Sequence, residues 1–126
     1  MDSLSAEAYT NLGVLYVRKG EFREAYQYFV KALRSNRKLA EAYVGYGVAL
    51  ANDGGLDLAI AFFKEALAVN PILSEAHNNL ISIYYLKGDY KEALYHCGRM
   101  EALGQKISPQ LVQLLKPHGS RREVMW

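Results

Sequence analysis

A short glycine-led pattern recurs in this sequence at a fixed interval of 34 residues. It begins at Gly20, Gly54 and Gly88, and each copy carries an alanine five residues after the glycine. A period of this size is typical of repeat proteins, in which each unit is one supersecondary element that buries its apolar face only against a stacked neighbour. The chain is therefore predicted to fold as an array of three such units.

The three units align without gaps as residues 6–39, 40–73 and 74–107. Apolar residues recur at helical spacing on both sides of each glycine, so each unit is predicted to be two amphipathic helices joined by a tight turn. In the first helix this apolar stripe comprises Tyr9, Leu12, Leu15 and Tyr16. Glycine suits the turn because the left-handed backbone that ends many helices costs least without a Cβ.

Helix ends are marked by capping residues. Ser5 and Ser74 are predicted N-caps of the first and fifth helices. Ser108 in a cap position and Pro109 in the first helical position predict a seventh helix that continues to Lys116. Such a helix would cover the interface that the last helix pair otherwise shows to water. The predicted fold is all-α, with repeats over residues 1–107 and a capping helix and tail over residues 108–126.

The tail ends in an apolar triplet, Val124, Met125 and Trp126. Tryptophan is the residue type most enriched at the centres of interfaces. Three alternatives are open for this triplet: it docks on its own chain, it enters the groove of a second copy and drives self-association, or it stays unattached as chain ends commonly do.

Composition argues against several classes of partner and site. Fifteen Lys and Arg against thirteen Asp and Glu give a net charge of +2. This value is far below the clustered basic excess that nucleic-acid binding requires. No segment has the length and hydropathy of a membrane span, and the first residues do not resemble a secretory leader. The single cysteine, Cys97, cannot form an intramolecular disulfide and suits a reducing compartment, so a cytoplasmic protein is expected.

Residues that could support catalysis are few. His77, His96 and His118 have no metal-ligand partner at helical spacing and no triad-like arrangement. His77 and Cys97 lie on the apolar stripes and are predicted to be structural. We therefore expect no enzymatic activity, no metal and no cofactor.

The units resemble the tetratricopeptide repeat, a helix-turn-helix of this period, over residues 6–107. The first unit supplies its signature positions as Tyr9, Leu12, Gly13, Tyr16, Gly20, Phe22, Ala25, Phe29 and Ala32. The second unit supplies Tyr43, Tyr46, Gly47, Leu50, Gly54, Leu56, Ala59, Phe63, Ala66 and Pro71. The resemblance implies a right-handed α-solenoid whose first helices line a concave groove that receives a peptide. It thus implies a non-catalytic scaffold or adaptor; the alternative is a structural assembly element that self-associates through its ends or tail.

The third unit departs most from this pattern. Ile81 replaces a small residue of the first helix, Cys97 an aromatic residue of the second, and Met100 an alanine. A bulky residue where two helices approach closely costs about 1 to 3 kcal/mol if nothing compensates. We therefore predict that Ile81 fills the volume vacated at Cys97.

The resemblance also assigns groove residues by register. The predicted peptide-binding residues are Thr10, Asn11, Val14, Val17, Val44, Val48, Asn52, Asn78, Asn79, Ser82 and Tyr85. Family members that grip the C-terminal carboxylate of heat-shock chaperones use Lys, Asn and Arg at five groove positions. Here those positions hold Thr10, Val14, Gly45, Glu75 and Asn79, so that carboxylate clamp is absent.

Two polar columns in the groove have alternative explanations. Asn11 and Asn79 share one register position, with Gly45 between them. This column is similar to the asparagine ladder of the glycosyltransferase that attaches N-acetylglucosamine to proteins, whose amides hold a peptide backbone. The alternative is that the two asparagines are ordinary exposed residues without a binding role. Glu7, Glu41 and Glu75 form a second column. It is explained either by favourable interaction with the helix dipole, about 0.3 to 1 kcal/mol each, or by a preference for basic ligands.

Overall fold

A computed structural model describes residues 4–119. Within them lie seven α-helices and a short 3-10 helix, and no β-strand. The helices are α1 (Ala6–Arg18), α2 (Phe22–Ser35), α3 (Ala40–Asn52), α4 (Leu56–Val69), α5 (Ser74–Leu86), α6 (Tyr90–Ala102) and α7 (Pro109–Leu115), followed by the 3-10 helix Lys116–His118. The predicted all-α helical-repeat fold class is confirmed. The chain divides into two compact units, an N-terminal unit that ends at Pro71 and a C-terminal unit that begins at Ile72.

The turns between paired helices have the predicted backbone. Gly20, Gly54 and Gly88 have φ angles of 75°, 93° and 78°, in the left-handed region that favours glycine. The cap at Ser5 is confirmed, because its Oγ accepts a hydrogen bond from the backbone N–H of Ala8 at 3.1 Å. The cap at Ser74 is wrong: Ser74 is the first residue of α5, and the carbonyl of Leu73 accepts the first helical hydrogen bonds.

The core of the N-terminal unit is built around two phenylalanines that need glycine beside them. Phe29 and Phe63 are fully buried. A Cβ would lie 2.6 Å from the Phe29 ring if placed on Gly13, 2.5 Å from the same ring if placed on Gly45, and 2.8 Å from the Phe63 ring if placed on Gly47. Such approaches are below van der Waals contact, so these rings occupy space that any other residue would fill.

Leu15 does not belong to the buried stripe of α1. Its side chain is 52% exposed, whereas Tyr9 is 4% exposed. Six residues separate the two, which at about 100° per residue turns Leu15 some 240° around the helix axis from Tyr9. Tyr16, seven residues from Tyr9, returns to the same face and packs against the core.

The C-terminal unit contains α5, α6 and α7. Helix α7 packs against both α5 and α6, and its Leu115 is fully buried, which confirms the predicted cover on the last helix pair. Gln105, in the loop after α6, donates its side-chain N–H to the backbone carbonyl of Ile72. This bond joins the end of the third repeat to the loop that precedes α5, within the same unit.

The third repeat inverts the packing that the first two share. By register, Ile81 and Cys97 occupy the positions of the pairs Gly13–Phe29 and Gly47–Phe63. Both Ile81 and Cys97 are fully buried, so the large residue now stands on the first helix and the small one on the second. That the two side chains compensate each other in volume stays a prediction.

Candidate functional site

A depression of about 350 Å³ lies in the N-terminal unit on the face predicted to bind a ligand. It is lined by Glu7, Thr10, Asn11, Leu39 and Glu41. Asn11 and the two glutamates are exposed, whereas Thr10 is 7% exposed and its hydroxyl donates to the carbonyl of Ala6 at 2.9 Å. The exposed polar groups of this depression are therefore one amide and two carboxylates.

The valines of this face contribute more to the core than to the surface. Val14 and Val17 are half-buried and pack against the cluster around Phe29. Val44 is only 3% exposed, and Val48 is half-buried. A charged substitution at Val44 would therefore disturb folding, so tests of binding need other positions.

The interruption of the asparagine column at Gly45 has a structural cause. Because the ring of Phe29 lies 2.5 Å from where a Cβ of Gly45 would stand, an asparagine cannot occupy this position without displacing the ring. Asn11 is exposed one unit before it, and Asn79 is half-buried on α5. Packing, rather than ligand choice, thus explains the missing amide.

Helix α5 carries a buried side-chain acceptor. Asn78, Asn79 and Ser82 are half-buried, and the Ser82 hydroxyl donates to the backbone carbonyl of Asn78 at 3.2 Å. The side-chain Oδ1 of Asn78 is buried and accepts no hydrogen bond from the described residues. A buried acceptor of this kind gains from a ligand N–H that reaches it.

The remaining two predicted residues differ in their surroundings. Asn52, the last residue of α3, is exposed. The ring of Tyr85 lies 5.7 Å from that of Tyr90 and 6.2 Å from that of His118, centroid to centroid. Tyr90 and His118 in turn stack at 3.6 Å, so Tyr85 belongs to an aromatic cluster formed with α6 and the 3-10 helix.

The glutamates at the starts of α1 and α3 are not paired with cations of residues 4–119. Glu7 lies in the first turn of α1 and Glu41 in the first turn of α3, where the positive ends of the helix dipoles stabilise them. Neither makes an ion pair within 4.0 Å in the part of the chain that the structure describes. Both carboxylates are consequently available to a basic ligand.

The C-terminal unit buries two histidines and a cysteine. Nδ1 of His77 and Nδ1 of His96 are 3.1 Å apart in the C-terminal unit, a pairing that the sequence analysis did not predict. Burial raises the pKa of the Cys97 thiol to about 11, which keeps it protonated and unreactive at neutral pH. Within residues 4–119 there is no group of three or more His, Cys, Asp or Glu placed to hold a metal ion.

Of the helices in residues 4–119, none combines the length and the hydropathy needed to cross a bilayer. The tail residues Val124, Met125 and Trp126 lie outside the described residues, and self-association through them stays a prediction.

Paired helices at this period define a helical-repeat protein, and comparison with family models specifies which kind. The tetratricopeptide repeat matches residues 6–39 and again residues 40–72, and the PPR repeat matches residues 75–105. The chain belongs to the tetratricopeptide repeat family.

Solved structures with the same fold include a point mutant of MamA, which is 31% identical, with a TM-score of 0.67 over 78% of this chain and 72% of that one. The first tetratricopeptide repeat domain of Spaghetti (RPAP3), bound to the HSP90 peptide SRMEEVD, is 17% identical. Its TM-score is 0.79, and the match covers 93% of this chain and 94% of that one. The Sgt2 tetratricopeptide repeat domain from Aspergillus fumigatus is 20% identical. Its TM-score is 0.78, and the match covers 95% of this chain and 79% of that one. A search of curated proteins found no match.

Proposed function

We propose that this chain is a non-catalytic protein-interaction module that binds a peptide segment on the first-helix face of its repeats. Membership of the tetratricopeptide repeat family supports this function, as does the solved structure of Spaghetti (RPAP3) with a bound peptide. The observation that carries the proposal is the depression between α1 and α3, because four of the five residues that line it hold groove positions by register: Glu7, Thr10, Asn11 and Glu41.

The chemistry of the depression favours a basic peptide segment. Glu7 and Glu41 supply two carboxylates without ion-pair partners among the described residues. Asn11 supplies an amide that can both donate to and accept from a peptide backbone. Lys or Arg side chains of the ligand would pair with the carboxylates, while its main chain bonds to the amide.

The same surface is unsuited to an acidic C-terminal peptide of the kind bound by Spaghetti. The peptide SRMEEVD in that complex carries three acidic side chains. The clamp positions in this chain hold Thr10, Val14, Gly45, Glu75 and Asn79, none of which is a cation. We therefore propose a different class of ligand for this face.

Peptide selection followed by affinity measurement tests the proposal. Peptides selected from a displayed random library are expected to be basic, and their dissociation constants are measured by fluorescence anisotropy. A triple variant, Glu7→Gln, Asn11→Ala and Glu41→Gln, is expected to bind them about tenfold more weakly or worse, because two charge-assisted contacts are lost.

The matched control is Glu24→Gln. Glu24 is an exposed glutamate in the first turn of α2, so its replacement changes the charge of the same unit without touching the depression. Unchanged affinity in the control with weakened affinity in the triple variant supports the proposal. If the triple variant binds the selected peptides as tightly as the wild type does, the first-helix face is not the site.

A further inference from the structure

A second cleft of the N-terminal unit lies away from the proposed peptide face. It has a volume of about 450 Å³ and is formed by α2, the loop after it, α3 and α4. Its lining comprises Val30, Leu33, Tyr43, Tyr46 and Phe62, with Arg34 and Arg37 beside them. On α3 it uses a different face from the one that carries Glu41 and Val48.

The apolar part of the cleft is an ordered set of aromatic rings. Tyr46 and Phe62 stack with centroids 4.2 Å apart, and Tyr43 lies 6.3 Å from Phe62. Tyr26 stacks behind Tyr46 at 5.2 Å, and its hydroxyl donates to Asp53 Oδ2 at 3.0 Å. The rings are half-buried, so they are held in place yet still offer surface to an apolar side chain.

The charged part of the cleft is strongly one-sided. Arg34 and Arg37 are exposed, and neither makes an ion pair within 4.0 Å among residues 4–119. From residue 25 to residue 40 the chain carries four cations, Lys31, Arg34, Arg37 and Lys38, and no acidic residue. The lining itself contains no carboxylate. Two exposed guanidinium groups beside an apolar pocket are complementary to an acidic partner.

We propose that this cleft is a second interaction surface, which binds an acidic protein segment through one large apolar side chain. The apolar side chain would pack against the exposed parts of Tyr43, Tyr46 and Phe62, where burial supplies affinity. Carboxylates on either side would pair with Arg34 and Arg37, whose planar guanidinium groups accommodate them bidentately. The two faces of the N-terminal unit would thus select segments of opposite charge, which allows the module to hold two different partners.

Titration with a designed peptide tests this surface in the full chain. The probe is a blocked peptide with a Phe-Leu pair flanked on both sides by glutamates. Its binding is measured by NMR, from the changes that it causes in the chemical shifts of the protein. We expect shifts concentrated at the three rings and the two arginines. Raising the salt concentration from about 50 mM to about 300 mM should weaken binding several-fold, because exposed charges are screened.

Two comparison peptides separate the contributions. A peptide with Phe-Leu replaced by Gly-Ser should bind about tenfold more weakly, because it loses the apolar anchor. A peptide with lysines in place of the glutamates should not shift the cleft residues. Equal binding of either comparison peptide overturns the proposal.

Protein variants complete the test. Arg34→Gln with Arg37→Gln should weaken binding of the acidic probe about tenfold or more, since both side chains are exposed and their loss leaves the fold intact. The control is Arg23→Gln with Lys64→Gln, two exposed cations of α2 and α4 that do not line the cleft. Equal loss in both double variants would show a general charge effect and overturn the proposal.

Two further outcomes are decisive. Absence of shifts at the cleft with about 1 mM probe, the scale of very weak complexes, overturns the proposal. A single-stranded oligonucleotide that shifts the same rings and displaces the probe would also overturn it, in favour of base stacking on the aromatic residues. The triple variant of the first-helix face should bind the acidic probe normally, so failure of one surface is distinguishable from failure of the other.

Discussion

Nδ1 of His77 lies 3.1 Å from Nδ1 of His96, and both side chains are buried in the C-terminal unit. Their ring centroids are 5.3 Å apart. The same register positions in the first two repeats hold the ring pairs Tyr9–Tyr28 and Tyr43–Phe62, each with centroids 6.3 Å apart. The third repeat therefore keeps the contact between two rings and adds a hydrogen bond to it.

This pairing predicts that the two histidines are energetically coupled. Replacing either one alone, His77→Phe or His96→Phe, leaves the other nitrogen of the hydrogen bond without this partner and should cost about 1 to 3 kcal/mol. The double variant restores a purely aromatic pair, as in the other repeats, and should cost clearly less than the sum of the single variants. Urea unfolding of the four proteins gives the coupling energy. Strict additivity would show that the bond contributes nothing.

The close approach of Phe29 to Gly45 predicts an unusual response to alanine. In the interior of a helix, Gly→Ala commonly stabilises by about 0.5 to 1 kcal/mol. In Gly45→Ala the new Cβ would stand 2.5 Å from the Phe29 ring, so the variant should instead lose about 1 to 3 kcal/mol through overpacking. Thermal and urea unfolding measure the change.

Gly98 provides the matched control for this substitution. It lies within α6 and is exposed, and an added Cβ would meet no atom within 4 Å beyond its chain neighbours and the backbone of its own helix. Gly98→Ala should therefore gain about 0.5 to 1 kcal/mol. A gain in both variants would mean that the Phe29 ring moves aside without cost, which contradicts close packing around Gly45.

The period of 34 residues made most of the fold predictable. Once Gly20, Gly54 and Gly88 set the register, apolar spacing located the helices, because burial and helix geometry act together on the same positions. Rules applied to single residues, such as apolar spacing and N-cap preference, were less reliable. Leu15 looked like part of the apolar stripe but faces solvent, and Ser74 looked like a cap although the backbone of Leu73 serves there.

Candidate site residues were less predictable than the fold, because exposure depends on packing between helices. Val44 lies in a groove position by register, yet contacts with its neighbours leave it 3% exposed. The pairing of His77 with His96 joins two helices, so spacing along one helix did not indicate it. Comparison of repeats could have found it, since Tyr9 with Tyr28 occupies equivalent positions. The cleft beside Arg34 is formed by three helices at once, so the sequence shows its cations but not the aromatic pocket beside them.

The inverted pair in the third repeat predicts that Ile81 and Cys97 compensate for each other. Cys97→Phe alone should destabilise the C-terminal unit by about 1 to 3 kcal/mol, because both positions are fully buried and a larger side chain meets a filled core. Adding Ile81→Gly recreates the glycine and phenylalanine arrangement of the other repeats and should recover part of that loss. The control is Ile81→Gly alone, which should also be destabilising because it leaves a cavity. A double variant less stable than both single variants would show that the two positions do not share one space.

Tyr26 and Asp53 predict how the N-terminal unit responds to alkali. Burial, together with the hydrogen bond to Asp53 and its charge, raises the pKa of Tyr26 from 10.0 to about 12. Because the folded state holds the phenolic proton more tightly than the unfolded state, this group's stabilisation is complete below about pH 10 and is lost as the pH rises through the folded pKa. The free energy of unfolding should therefore fall between about pH 10 and about pH 12.

Tyr26→Phe isolates the contribution of Tyr26 from that of the other tyrosines. It should be less stable than the wild type at about pH 8, because the hydrogen bond is missing, and it should lose less stability on going to about pH 11, because the titrating group is gone. Asp53→Asn keeps an acceptor but removes the negative charge, so its alkaline loss should lie between the two. Urea unfolding followed by circular dichroism across this range measures all three slopes. If Tyr26→Phe loses stability as steeply as the wild type, then the bond between Tyr26 and Asp53 is not what holds the phenolic proton.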